Sequence, residues 1–129
     1  KSFYDHCGVD YRHRWDSCPI RDAAGKVEQI DWNGLPKLFV HDDPARHFNI
    51  TKIDKKNAFH PAADEVHLSI LRHANLVKTA YKLACIDSAY FHFADCFDLQ
   101  GKAELHQYAR WPRPRNFRYE NRNRWEYIV

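Results

Sequence analysis

Between Pro61 and Gly101 lie 39 positions with no proline and no glycine, in a chain that both residues otherwise punctuate often. Pro61 suits the first turn of a helix, where its missing N–H is no loss. Asp64 and Glu65 follow at once, where carboxylates complement the helix dipole. Gly101 suits the position just past a helix end. A single helix over this stretch would be about 58 Å long at 1.5 Å per residue. Two helices with a bend near residues 80–86 satisfy the same pattern.

Two apolar stripes run along it. Ala63, Val66, Ile70, Ala74, Val77, Tyr81, Cys85, Ala89, His92, Cys96 and Leu99 recur at steps of three and four. Leu76, Leu83, Ile86, Tyr90, Phe93 and Phe97 form the second. A helix apolar on two sides needs cover on both, and a chain of 129 residues buries a core of limited size. Leu83, Ile86, Tyr90 and Phe93 are therefore expected to face a partner protein. Asp87, His92, Asp95 and Asp98 interrupt the most apolar window, and no run of about 18 apolar residues exists, so no transmembrane span is expected.

The flanking segments are shorter. Cys7, Tyr11, Trp15 and Cys18 share one stripe if residues 1–18 are helical, and Pro19 ends that segment. Residues 19–60 read as an irregular connector. Within it Val27, Ile30 and Trp32 precede Asn33-Gly34, a strong hairpin-turn signal, and Leu38-Phe39-Val40 follow. Pro36 would place the second strand of such a hairpin at an edge. After Gly101 the character changes. Residues 1–100 hold 13 Lys/Arg against 14 Asp/Glu, whereas residues 101–129 hold 7 against 3. Residues 110–129 interleave six arginines with five aromatics, and Pro112 and Pro114 force an extended path. The chain begins at Lys1 and contains no methionine, which leaves a removed targeting sequence and a trimmed chain both open.

The expected fold is thus mostly α. A long central helix is paired with a short N-terminal helix by disulfides, a small β-hairpin lies in the connector, and the C-terminal tail is extended. Residues 1–109 form the stapled helical domain and 110–129 the Arg/aromatic tail. The staple rests on Cys7/Cys18 and Cys85/Cys96, each pair an i, i+11 repeat that faces one side of a helix. Two such helices lying antiparallel could join Cys7 to Cys96 and Cys18 to Cys85. Four cysteines allow three connectivities, and four reduced, buried thiols are the other reading. Zinc is not expected: Cys85 would lie about 11 Å from His92 along a helix axis, and no C-x-x-C occurs.

Matched cysteines on paired helices resemble the CHCH (coiled-coil-helix–coiled-coil-helix) proteins of the mitochondrial intermembrane space. The run Arg12-His13-x-Trp15-Asp16-x-Cys18-x-x-Arg21-Asp22 resembles a stretch around a CHCH cysteine in a small accessory subunit of respiratory complex I. This likeness implies a mitochondrial chain on the intermembrane-space side of the inner membrane, acting as an accessory subunit of a respiratory complex.

No catalytic constellation is expected. Cys7 with Arg12 or Arg14 misses the cysteine-x5-arginine spacing by one residue either way, and only four glycines are present to build a phosphate loop. Asp42-Asp43 and Asp64-Glu65 read as solvated surface or helix caps. Asn49-Ile50-Thr51 is a formal glycosylation sequon. The tail can lie along a partner protein, RNA or anionic lipid headgroups. Protein docking is favoured, through Trp111, Arg113, Arg115, Phe117, Tyr119 and Trp125. The functional expectation is a non-catalytic accessory subunit of a respiratory membrane complex, without cofactor or metal, whose partners are other protein subunits. A mitochondrial ribosomal protein with an rRNA-contacting tail and a secreted disulfide-stabilised binding protein are the alternatives.

Overall fold

The computed structural model describes residues 19–61, 70–106 and 118–129. Its frame is a sheet of four parallel strands in chain order. These are β1 (Leu38–His41), β2 (Lys82–Cys85), β3 (Lys102–His106) and β4 (Trp125–Ile128). Among the described residues three helices of six residues accompany them: α1 (Pro19–Ala24), α2 (Ala74–Thr79) and α3 (Ala89–Ala94). Short 3₁₀ turns occupy Pro44–Arg46 and Ile70–His73.

The mostly α expectation is overturned. The stretch read as one long helix contains α2, then β2, then α3. Ala80 ends α2 with an extended backbone (φ −50°, ψ 139°). The run Leu83-Ala84-Cys85-Ile86 is buried throughout. A parallel strand covered on both faces is continuously apolar, and a short apolar run of that kind also fits a buried helix. Gly101 likewise has a different task from helix capping. A Cβ there would lie 2.1 Å from the Ala80 carbonyl oxygen and 2.4 Å from that of Tyr81. The missing side chain lets the chain entering β3 pass against the chain entering β2.

The connector and the tail are corrected with it. Leu38–Val40 do form a strand, but it pairs in parallel with β2, not with a hairpin partner. Residues 27–32 carry no strand, and Asn33-Gly34 is a bend with Gly34 at φ +99°. The outer edge of β1 is met by Phe59, whose N–H donates to Leu38 O at 2.8 Å while its carbonyl accepts from Val40 N at 2.9 Å. The tail's last segment is β4, paired with β3 from Ala103↔Trp125 to His106↔Ile128.

Both faces of the sheet are covered, unequally. On one face Phe39, Leu83, Ala103 and Trp125 form a row across all four strands. They join Leu76, Val77, Phe91 and Phe93 in the main core. On the other face Val40, Ala84 and Ile86 pack with Ile50, and Phe48, Ile53 and Ala58 lean on them. The segment after β1 therefore folds back over the β1–β2 half of the sheet. Its Lys52 Nζ donates to the carbonyl of Val129, just past β4.

The strand steps are regular where the sheet is tightest. Lys82 pairs with Lys102, 20 residues on, and Ala103 with Trp125, 22 residues on. Leu38 to Lys82 spans 44 residues, twice that step. Steps of this length are those of one strand-plus-return unit in solenoid proteins.

Candidate binding surface

On the face away from the main core, charge collects at β2–β4. Burial of Ala103 and Trp125 in the core turns the residues before them, Lys102 and Arg124, to the opposite face, because side chains alternate along a strand. Register sets Lys82 beside Lys102, and Glu104 beside Glu126 one pleat further on. The Glu104 carboxylate bridges two partners. Oε2 lies 3.1 Å from Lys82 Nζ, and Oε1 lies 2.8 Å from His106 Nε2. Lys102, Arg124 and Glu126 are exposed.

A second polar group stands where β1 and β2 end. His41 Nδ1 lies 2.9 Å from Ser88 Oγ, and the His41 ring lies tilted against Tyr90, their centroids 4.5 Å apart. The Tyr90 hydroxyl lies 2.6 Å from His73 Nδ1. Burial lowers the His41 pKa against a smaller opposing pull from Asp42 and Asp43. A cavity of about 240 Å³ opens beside it, lined by Val40, His41, Asp42, Pro44, His60 and Pro61. Asp42 is engaged already: Oδ2 accepts from Ile50 N at 3.0 Å and lies 3.2 Å from Lys55 Nζ. Among the described residues no three His, Cys, Asp or Glu side chains gather to hold a metal ion.

The turn into β4 is fixed by Asp95. Its carboxylate accepts from Arg122 N (2.8 Å), Asn123 N (2.9 Å), Asn123 Nδ2 (3.1 Å) and Trp125 Nε1 (2.9 Å). Asn123 completes the clamp, donating to Phe97 O and accepting from Leu99 N. Asp98 pairs with Arg122 at 2.7 Å, and that guanidinium holds its carboxyl below the usual range.

Leu83, Ile86 and Phe93, expected to meet a partner, are buried in this chain's own interior, and Tyr90 is half-buried against the core. Trp125 is buried and Tyr119 is half-buried, with its hydroxyl donating to Asp87 Oδ2. Trp111, Arg113, Arg115 and Phe117 lie outside the described residues, as do Cys7 and Cys18. Cys85 is a buried thiol on β2, and burial raises its pKa. Cys96 follows α3, with its Sγ 3.5 Å from His92 O. The helix expected to carry Cys85 and Cys96 on one side is replaced among the described residues by a strand and a short helix, so these two cysteines share no helix.

Sequence reading missed Lys82, Lys102 and Arg124 as neighbours, since only the 20- and 22-residue register brings them together. It missed Asp95 as an anchor because a carboxylate inside an apparent helix reads as a solvated position. Comparison with protein-family models, curated proteins and solved structures finds no match for this chain.

Proposed function

We propose that the chain is a non-catalytic accessory subunit of a respiratory-chain complex, on the intermembrane-space side of the mitochondrial inner membrane. The observation that carries the binding role is the two-sided character of the sheet. One face is closed by the main core, while the other presents Lys102, Arg124 and Glu126, beside a half-buried Lys82 held by the buried Glu104. Parallel strands added in chain order make an extended surface, whose strand-start margin can lie on the inner membrane while the rest meets neighbouring subunits. The compartment and the complex rest on the likeness of residues 12–22 to a stretch of a complex I accessory subunit. In this reading Trp111, Arg113, Arg115 and Phe117 supply aromatic and guanidinium anchors to neighbouring subunits.

Purification of the tagged chain from its native cells in mild detergent tests the reading. NADH dehydrogenase or cytochrome subunits should co-purify in fixed ratio. Recovery of ribosomal RNA, or of the chain alone, would contradict it.

A further inference from the structure

A line of cations follows the margin where the strands begin. Lys82 opens β2, Lys102 opens β3 and Arg124 immediately precedes β4; in β1 Leu38 continues this row, and Lys37 stands one residue further out, level with Tyr81. Lys82 pairs in register with Lys102. Because Ala103 pairs with Trp125, Lys102 and Arg124 take the next step of the same row. Neighbouring strands lie about 4.8 Å apart, and like charges directly opposite one another destabilise a sheet. Among the described residues only Lys82 is relieved, by Glu104 at 3.1 Å. Lys37, Lys102 and Arg124 are exposed, and no carboxylate pairs with them among the described residues. Glu126 sits one pleat further along, about 7 Å from this row.

Apolar side chains protrude from the same margin. Leu35 is 83% exposed and Tyr81 73%, the highest values of any large hydrophobic residue among those described. Tyr81 N donates to Lys37 O at 3.0 Å, which sets Tyr81 beside the Leu35-Pro36-Lys37 lead into β1.

We propose that this margin docks on a membrane surface carrying anionic phospholipids. Lys102 and Arg124, with Lys37 beside Tyr81, meet headgroup phosphates, while Leu35 and Tyr81 enter the boundary between headgroups and acyl chains. The form of the surface favours lipid over an acidic protein. A protein hot spot encloses its anchor in a pocket, whereas here the apolar groups stand out and the cations run in single file. Each such cation near an anionic surface contributes on the order of a fivefold gain in binding. No helix of the described residues is long and apolar enough to cross a membrane. The inference rests on strand register and not on the proposed subunit role, and it stands or falls separately.

Co-sedimentation of the full chain with vesicles of phosphatidylcholine, with and without phosphatidylserine, tests it. The chain should bind the anionic vesicles and largely ignore the neutral ones. Added salt should weaken binding. The double variant Lys102→Glu/Arg124→Glu should lose at least about thirty-fold in partitioning. Lys102→Gln/Arg124→Gln should show a smaller loss in the same direction, with circular dichroism and unfolding midpoint unchanged. Leu35→Ser/Tyr81→Ser should weaken binding while keeping its salt dependence. Equal binding to neutral vesicles would overturn the proposal, as would indifference of the folded Gln variant. So would displacement from vesicles by inorganic phosphate at matched charge, which would show a free-anion site. Binding to polyglutamate without any vesicle binding would point to an acidic protein instead.

Discussion

Trp125 Nε1 donates to Asp95 Oδ1 at 2.9 Å, tying the last strand of the sheet to the residue that ends α3. Asp95 is itself 9% exposed, and its other acceptor positions take the backbone N–H groups of Arg122 and Asn123. β4 is therefore held through a carboxylate that is 30 residues away in sequence.

Removing that carboxylate should detach β4. Asp95→Ala strands the buried Trp125 indole N–H together with the half-buried donors of Arg122 and Asn123, and a cost of about 3 kcal/mol or more is expected. Trp125→Phe keeps most of the buried ring and loses one charge-assisted hydrogen bond, which should cost about 1.5–3 kcal/mol. Urea unfolding measures both. Native-state hydrogen exchange of Asp95→Ala should show residues 125–128 exchanging early while β1–β3 stay protected.

Gly101→Ala should be strongly destabilising, because the new Cβ would meet the Ala80 carbonyl oxygen at 2.1 Å and backbone cannot swing aside. A loss of about 3 kcal/mol or more is expected. Gly25→Ala is the matched control. Its Cβ would find nothing nearer than the Asp22 carbonyl oxygen at 3.5 Å, and its effect should stay within about 0.5 kcal/mol. Similar midpoints for the two variants in thermal unfolding would contradict the close approach at Gly101.

Why the sheet was hard to read from the residues follows from these positions. Leu38–Val40 carried a strand signal, whereas the helical spacing from Ala63 to Leu99 ran straight through β2, and only residues 74–79 and 89–94 of that stretch are α-helical among those described. β2 gave no such signal. Leu83–Ile86 is buried on both faces, so it lacks the alternation that betrays a half-exposed strand. Gly101 looked like a helix stop because capping and close approach call for the same residue. In β4, Trp125 is buried and Glu126 exposed but Tyr127 and Ile128 are both half-buried, so no clean alternation marks the strand within a tail of six arginines and two prolines. The charged row was beyond sequence reading, since register over 20 and 22 residues depends on how the returns pack.

His41 should make stability depend on mild acid. Burial lowers its folded pKa below the ordinary value of 6.5, so the folded chain binds the proton less readily than the unfolded chain. Its contribution is present above about pH 6.5 and is lost as pH falls from there through the lower folded pKa. The unfolding midpoint should decline over that window. His41→Gln should flatten that part of the profile relative to the parent chain. Parallel profiles for the two proteins would remove His41 from the explanation.

Cys85 should be inert in the native state. Its thiol is buried on β2, and burial raises its pKa, which withholds the reactive thiolate. Iodoacetamide should leave Cys85 unmodified in the folded chain and label it readily in denaturant, with peptide mapping as the readout. Rapid labelling under native conditions would place it outside the sheet interior.

Neighbourhood across the strands underlies both the fold and the charged margin, and backbone nuclear Overhauser contacts measure it most directly. Parallel order β1-β2-β3-β4 requires contacts between the backbones around Leu83 and Ala103, and between those around Ala103 and Trp125. The account predicts both sets, with helical i to i+3 contacts confined to segments such as 74–79 and 89–94 and absent across 82–85. Continuous helical contacts from residue 74 through residue 99, with none linking Ala103 to Trp125, would contradict it.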